Sequence, residues 1–308
     1  MMSFTNTKPL RLAVIGFGRV GQACAGLITL SHDLTVEAFV RRPSSGADGL
    51  PEHLRHIPLV THVSQVKEVD GALICVPTNT VMEAASQILQ HGIPVVDCAI
   101  LHGESFHAHK AAIHKLALHH HAPAIVGAGW DPGALSVFRS WLALLTPGGM
   151  TETTHRPGIT LRHTVMAKSV VGVKDALCTE VRATDGRVQR YVYIELEKGA
   201  NAEVVAQAIR ADPLFLGEET QIFPMESLAS LEQEGRGVVL DRRSSPQRLG
   251  RQHFMLEGRF DEAVVTAEVM LAAARALPDL DPGAYSLVDL PLSALWGERA
   301  DKAEREWV

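Results

Sequence analysis

The sequence predicts an α/β fold, in which a doubly wound parallel sheet is accompanied by a second α+β domain of mainly antiparallel strands. The first observation is a series of short apolar runs, each followed by a helical pattern, between residues 10 and 126. Strands that alternate with helices in this way are typical of parallel sheets with helices on both faces. The second observation is that the runs beyond Gly148 and Gly149 are longer and alternate polar with apolar residues. Such alternation is typical of antiparallel strands with one exposed face.

Individual elements follow from apolar periodicity and from Gly, Pro and Asp punctuation. In the first half we predict strands at residues 10–15, 35–40, 69–77, 94–97 and 123–126, and helices at 22–28, 81–90 and 104–119. In the second half we predict strands at 159–166 and 188–196, a hairpin turn at Asp185-Gly186, and helices at 201–210, 227–233 and 261–277. The last helix is expected to return to the first domain. The predicted domains are therefore 1–125 with about 262–308, and 126–261.

Composition excludes several classes of function. The chain has 308 residues, long enough for two domains, and its net charge of −6 argues against a nucleic-acid surface. No apolar run is long enough to span a bilayer, so no membrane partner is expected. The four cysteines are scattered without a C-x-x-C pair, as expected for reduced thiols of a cytoplasmic protein. The many histidines between residues 102 and 121 are interpreted as a solvated helix face, and no metal site is predicted.

A glycine-rich loop follows the first predicted strand and enters the first predicted helix. Its residues are Gly16, Phe17, Gly18, Arg19, Val20 and Gly21, a G-x-G-x-x-G pattern. In this setting the first glycine permits the tight turn, the second lets the backbone approach a pyrophosphate, and the third lets helix and strand pack closely. We therefore predict a Rossmann-type dinucleotide site. The segment Cys75, Val76, Pro77 and Thr78, after another buried strand, is expected to lie against the same cofactor.

The residues after the second strand indicate which dinucleotide binds. NAD enzymes usually place a carboxylate here, to accept from the ribose 2′-hydroxyl. This chain instead has Arg41 and Arg42, followed by Pro43. A guanidinium matches a 2′-phosphate in shape and charge, so we predict NADP as the cofactor. The alternative is a pair of surface arginines without a ligand.

The segment from Gly127 to Ser136 reads G-A-G-W-D-P-G-A-L-S and lies at the predicted domain boundary. Asp131 is a suitable N-cap and Pro132 suits the first helical position, so a helix start is predicted there. Its free amides are well placed to hold a substrate carboxylate. The alternative is a capped helix with no ligand.

This segment resembles the G-W-D-P-G-x-x-S motif of the meso-diaminopimelate dehydrogenase family. The glycine loop and the Arg41-Arg42 pair are similar to those of the family's NADP-dependent members. Further similarities follow in the family's order along nearly the whole chain: Pro157-Gly158, His163-Thr164, Gly172-Val173-Lys174-Asp175-Ala176, and Gly283-Ala284-Tyr285.

The resemblance implies reversible, NADP-linked oxidative deamination at the D-configured carbon of meso-2,6-diaminopimelate. Hydride leaves the amino-bearing carbon, the imine is hydrated, and ammonia departs. It also implies a homodimer, built through the second domain. The expected partners are thus an amino acid, or the corresponding oxo acid with ammonia, and a second copy of the chain.

Site residues are carried over from the family motifs position by position. The family's V-D-[ST]-[YF]-D-x-H loop retains its first Asp and its His, as Asp97 and His102, whereas Ile100 replaces its second Asp. The catalytic candidates are Asp97, Glu104 and Asp131. The candidates for substrate binding are Trp130, Gly133, Thr160, Leu161, Arg162, His163, Thr164, Arg190 and Arg251.

The departures from the family pattern leave the substrate open. Ile100 and Leu161 remove polar groups that a second amino-acid head would need, while Arg162 and Arg251 offer new carboxylate partners. A dehydrogenase or reductive aminase for another D-amino acid or 2-oxo acid is the first alternative. A non-catalytic NADP-binding regulatory protein is the second. A dehydrogenase of the glucose-fructose oxidoreductase type is disfavoured, because its Glu-Lys-Pro motif is absent.

Overall fold

The computed structural model describes residues 8–41, 50–66, 68–156, 161–182, 188–217, 219–228, 236–245, 251–297, 303, 305 and 306. The chain forms two compact units, Met1–Leu144 with Glu262–Val308, and Leu145–Asp261. The chain re-enters the first unit at residue 262, where the sequence places that boundary. It leaves the first unit after residue 144, instead of after residue 125 as predicted. The reason is that the segment after residue 125 packs in the first unit, where Ala128 is part of the same apolar core as Leu12.

The first unit is built on a seven-stranded sheet in which every neighbouring pair is parallel. Its strands, numbered along the whole chain, are β1 (Leu10–Ile15), β2 (Leu34–Val40), β3 (Leu59–Val60), β4 (Gly71–Ile74), β5 (Val95–Asp97), β6 (Pro123–Ile125) and β13 (Gly283–Tyr285). Their order across the sheet is β13-β6-β5-β4-β1-β2-β3. The order reverses between β1 and β4, so the prediction of a doubly wound parallel sheet is confirmed.

Five α-helices of ten or more residues accompany this sheet in the described part of the first unit. They are α1 (Arg19–Ile28), α2 (Thr78–Leu89), α3 (Gly103–His119), α4 (Ala134–Leu145) and α7 (Glu262–Ala276), of which α4 ends at the crossing. The helices α1 and α2 begin three residues before their predicted starts, because Gly18 and Pro77 occupy the N-cap positions. The helix α7 contributes Ala267, Met270 and Ala274 to the core that also contains Cys24 and Ile28 of α1.

The second unit contains two three-stranded sheets. Its elements are β7 (Met150–Arg156), α5 (Leu161–Lys168), β8 (Val173–Arg182), β9 (Val188–Leu196), α6 (Ala202–Ala211), β10 (Glu219–Met225), β11 (Arg236–Arg243) and β12 (His253–Phe260). One sheet has the order β10-β9-β8 and the other β12-β11-β7. Only the β9–β10 pair is parallel among these described strands, which confirms a mainly antiparallel second domain.

The prediction of a strand at residues 159–166 is wrong, because Leu161–Lys168 is helical. Thr164 and Ala167, three positions apart, are both buried, and the Thr164 hydroxyl accepts from the backbone N–H of Cys178 in β8 at 2.9 Å. Burial of one helix face outweighs the local alternation of polar and apolar residues. The Asp185-Gly186 turn and most of the helix expected at 227–233 lie outside the described residues.

None of the helices in the described ranges combines the length and the apolar character that crossing a membrane requires.

Candidate active site

Four loops follow β1, β4, β5 and β6 at the same edge of the parallel sheet. They contain Gly16–Gly18, Cys75–Pro77, Cys98–His102 and Val126–Gly133 respectively. The carboxyl edge of an open α/β sheet, at the point where the strand order reverses, is where such folds bind ligands. The loops after β1 and β4 flank that point, so the first unit presents its site there.

The glycine loop has the geometry of a dinucleotide cradle. Gly16 has a φ of +89°, in the region that favours glycine, and a Cβ at Gly21 would clash with the carbonyl oxygen of Gly16. The space beside Gly18, at the N-cap of α1, is open, with no atom within 4 Å of a Cβ placed there. The first amides of α1 thus face a space that a pyrophosphate can fill. Arg19 is exposed and Val20 is half-buried beside this loop.

Arg41 lies next to the glycine loop. Its guanidinium carbon is 5.8 Å from the centroid of the Phe17 ring, which packs edge-on against Phe39 of β2 at 4.7 Å. The cation is therefore held at the end of β2, the position from which an Arg meets a ribose 2′-phosphate. Its predicted partner Arg42 lies outside the described residues.

A hydrogen bond connects the segment after β4 with the loop after β5. The hydroxyl of Thr78 accepts from the backbone N–H of Ile100 at 3.1 Å. Beneath this loop, the Sγ atoms of Cys75 and Cys24 are 4.0 Å apart. This contact and burial raise the pKa of Cys75, and burial raises the pKa of Cys98 to about 12. These thiols are protonated at neutral pH, which disfavours nucleophilic chemistry by either one.

Asp97 is fully buried at the end of β5. Its Oδ1 accepts from the backbone N–H groups of Ala99 and Gly127, both at 2.9 Å, and its Oδ2 lies 2.9 Å from Nε2 of His109. The carboxylate thus ties the loop after β5 to the loop after β6 and to α3. This placement disagrees with the predicted catalytic role of Asp97, because its oxygens meet protein groups away from solvent. It also corrects the interpretation of His109, which is buried and not on a solvated helix face.

Three exposed side chains lie in the loop between β5 and α3 and in the first turn of α3. Ile100 is 59% exposed, the side chain of His102 is 58% exposed at the N-cap of α3, and Glu104 is exposed in the first turn of that helix. An acidic residue in the first turn favours the helix through its dipole, so Glu104 also has a structural use. Ile100 brings an apolar group to a position where the family has a carboxylate.

The G-W-D-P-G segment forms a tight loop before α4. Gly133 has a φ of +130°, and a Cβ at this position would clash with the carbonyl oxygen of Gly129. The peptide bond between Asp131 and Pro132 is cis. The helix begins at Ala134, so the prediction that Asp131 is its N-cap and Pro132 its first residue is wrong. The Asp131 carboxylate is instead engaged by a side chain farther along the helix.

That side chain is Arg139, which sequence reasoning missed. Its Nη1 donates to Oδ1 of Asp131 at 2.8 Å and its Nη2 to Oδ2 at 3.3 Å, a two-pronged ion pair. The Asp131 side chain is 13% exposed, and Nδ1 of His102 lies 4.0 Å from its Oδ1. Beside the pair, the Trp130 ring lies 6.4 Å from that of Phe138. No regular spacing signals this pair, because residues 131–133 precede the helix and the ion pair forms between a loop residue and a helix residue.

The remaining substrate candidates belong to the second unit. Arg190 is 2% exposed in β9, so its side chain is buried and does not face solvent. The His163 ring is 5.2 Å from that of Phe215, Thr164 is buried, and Arg251 is exposed just before β12. Leu161 and Arg162 lie in the first turn of α5, and Thr160 lies outside the described residues.

Across the described ranges, no group of three or more His, Cys, Asp or Glu side chains is arranged to hold a metal ion.

Comparison with known proteins places the chain in a family. Residues 10–97 match the model of an oxidoreductase family with an NAD-binding Rossmann fold. Over 302 residues, 98% of each chain, the sequence is 33% identical to the meso-diaminopimelate D-dehydrogenase of Bacteroides fragilis.

Two solved structures share the fold at 20% identity, each covering 98% of this chain and 100% of its own. They are the C. glutamicum DAP dehydrogenase in complex with DAP, with a TM-score of 0.66, and an engineered D-amino acid dehydrogenase bound to NADP+, with a TM-score of 0.65. The identity to the Bacteroides relative over nearly the full length shows that this chain belongs to the meso-diaminopimelate D-dehydrogenase family of oxidoreductases.

Proposed function

We propose that this protein catalyses the reversible, NADP-linked oxidative deamination of an amino acid at a D-configured carbon, with meso-2,6-diaminopimelate as the first candidate substrate. The observation that carries the proposal is the placement of the glycine loop and the Asp131 carboxylate at one edge of one sheet. The name of the Bacteroides relative supports the substrate, and the NADP+ bound to the engineered homologue supports the cofactor.

The first unit has the groups that NADP requires. The amides at the start of α1, beside Gly18, would bind the pyrophosphate, and Arg41 with Arg42 would bind the 2′-phosphate. Cys75, Val76 and Pro77 would contact the cofactor from the next loop. When bound, NADP supplies the hydride acceptor for the amino-bearing carbon.

Asp131 is the proposed partner of the reacting amino group. Its carboxylate binds and orients the ammonium group, while the backbone around Trp130 and Gly133 shapes the site around it. Glu104 is the proposed proton acceptor for the amine, and Asp97 holds the two loops in place through its buried hydrogen bonds. The substrate carboxylates are assigned to the second unit, through Thr160, Leu161, Arg162, His163, Thr164, Arg190 and Arg251.

The exposed Ile100 favours a second candidate substrate. An apolar side chain at the loop after β5 removes a hydrogen-bond acceptor near the reacting centre and offers apolar contact instead. A D-amino acid with one carboxylate and an apolar side chain, or the matching 2-oxo acid with ammonia, fits this change.

A screen of NADP reduction at alkaline pH tests the activity. We expect turnover with meso-diaminopimelate or with another D-amino acid, and none with the matching L-amino acids. Retained NADP binding without turnover on any of them would contradict an enzyme and favour a regulatory NADP-binding protein. In the same assay, replacing Arg41 and Arg42 with Ala should raise the KM for NADP far more than that for NAD. Equal effects on both cofactors would refute the assignment of NADP.

We further propose that the chain acts in the cytoplasm as a homodimer. Exposed apolar side chains near the start of the second unit support an association surface there: Leu145 and Met150. Light scattering during gel filtration should give twice the monomer mass, and Met150→Glu should give the monomer. A monomeric wild-type protein would contradict the proposed homodimer.

A further inference from the structure

The pairing of Asp131 with Arg139 is more specific than an ordinary surface ion pair. Two nitrogens of one guanidinium meet the two oxygens of one carboxylate, at 2.8 and 3.3 Å. This fork fixes the plane of the carboxylate as well as its position. Asp131 is mostly buried and Arg139 is 31% exposed, so the pair lies partly screened from water.

The start of α4 has support besides this ion pair. The backbone N–H of Ala134 donates to the carbonyl of Gly129 at 3.1 Å, and that of Leu135 to the carbonyl of Trp130 at 3.0 Å. Leu135 is also fully buried in the first unit. The start of α4 is therefore held by backbone bonds and by packing. The ion pair adds the orientation of one carboxylate to a helix start that these contacts already hold.

The orientation matters because of where the carboxylate lies. Asp131 is in the loop after β6, at the ligand-binding edge of the sheet, within 4.0 Å of His102 from the loop after β5. A carboxylate has about four acceptor positions, so it can receive several donors at once. An amino group is such a donor.

We propose that Arg139 is a positioning residue, whose guanidinium holds the Asp131 carboxylate in the orientation that receives the amino group of the substrate. This inference rests on the proposed function, in which Asp131 meets that amino group. Arg139 itself touches neither substrate nor cofactor. Its contribution is the fixed carboxylate plane, which a single ammonium group on a flexible chain does not reproduce.

The experiment compares Arg139→Met and Arg139→Lys with the wild type, using meso-diaminopimelate or the best D-amino acid of the screen. Arg210→Met is the matched control, because Arg210 is exposed at the end of α6 in the second unit. We expect Arg139→Met to lower kcat/KM about 100-fold, as for a misplaced reacting group. Arg139→Lys should lower it about 10-fold, because charge remains and the fork is lost. NADP affinity should stay close to that of the wild type and of the control, and both Arg139 variants should remain folded, with a cooperative thermal transition above the assay temperature.

Two further measurements separate orientation from a purely structural effect. Millimolar guanidinium should restore part of the activity of Arg139→Met and none of that of Asp131→Asn. The double variant Asp131→Asn with Arg139→Met should be no worse than Asp131→Asn alone, because both changes remove the same interaction.

Wild-type kcat/KM in Arg139→Met would overturn the inference while leaving the proposed function intact. A loss of kcat/KM in Arg139→Met that guanidinium does not restore, and that adds to the loss in Asp131→Asn, would overturn the inference as well. If Arg139→Met does not fold, Arg139→Lys still decides, since unchanged kinetics there would refute the need for the fork. An inactive wild type would overturn the proposed function, and this inference with it, before any substitution is made.

Discussion

Replacing Asp97 with Ala tests the structural role of the carboxylate at the end of β5. The change removes the acceptor for the buried N–H groups of Ala99 and Gly127, and the partner of His109. Each buried donor left without an acceptor costs about 1–3 kcal/mol. With two backbone donors and one imidazole affected, we expect a loss of about 4 kcal/mol in the free energy of unfolding of the first unit. That is a large part of the stability of a typical domain.

Asp97→Asn is the matched control for this substitution. Its side-chain oxygen can still accept from both backbone N–H groups, and its NH2 can donate to His109 in the other tautomer. Only the charge of the acceptor is lost, so we expect the free energy of unfolding of the first unit to fall by about 1 kcal/mol.

Urea unfolding followed by tryptophan fluorescence measures this difference. The tryptophans that the structure describes, at positions 130, 141 and 296, belong to the first unit, so their signal reports on that unit. The Tm of Asp97→Ala should fall by about 10 °C. A loss below about 1 kcal/mol in Asp97→Ala would refute the reasoning. Equal losses in the two variants would refute it as well.

Three further predictions concern other parts of the first unit. Gly21→Ala should lower both the Tm and NADP affinity, because its Cβ would clash with the Gly16 carbonyl. Gly18→Ala should lower NADP affinity alone, because the space there is open. Calorimetry and cofactor titration distinguish the two variants, and equal Tm losses would contradict the geometry. Gly26→Ala, inside α1 with open space around the added methyl group, should raise the free energy of unfolding by about 0.5–1 kcal/mol, and a destabilised variant would contradict this. A hydrogen bond from Arg275 lowers the pKa of Asp33 to about 2, so the stability that this pair provides is present above pH 4 and is lost as the pH falls towards 2. The difference in urea midpoint between the wild type and Asp33→Asn should therefore shrink over that range. A constant difference would contradict the pairing.

The parallel sheet and the cofactor loop were predictable because their signals are local. An apolar run, three glycines at fixed spacing and a following helix determine the geometry of residues 10–28 with little help from elsewhere. The helix Leu161–Lys168 was not predictable in the same way. Its sequence alternates like a strand, and only the burial of Thr164 and Ala167 against β8 decides for a helix.

The candidate site was predictable in part. Trp130 to Gly133 was found as a motif, but its carboxylate was assigned to the helix N-cap, since a nearby cap is the usual partner of an Asp. The guanidinium of Arg139 outcompetes that local bond. Asp97 was misjudged for a similar reason, because its partners come from three separate segments that only the folded chain brings together.

The fate of the hydrogen on the amino-bearing carbon tests the central claim most directly. The measurement uses meso-diaminopimelate, or the best D-amino acid of the screen, labelled with deuterium at its D-configured α-carbon and incubated with NADP and the protein. We predict that deuterium appears at C4 of the nicotinamide, with one ammonia and one 2-oxo acid released for each NADPH formed. NADPH without deuterium, or no NADPH from any D-amino acid tested, would contradict the account.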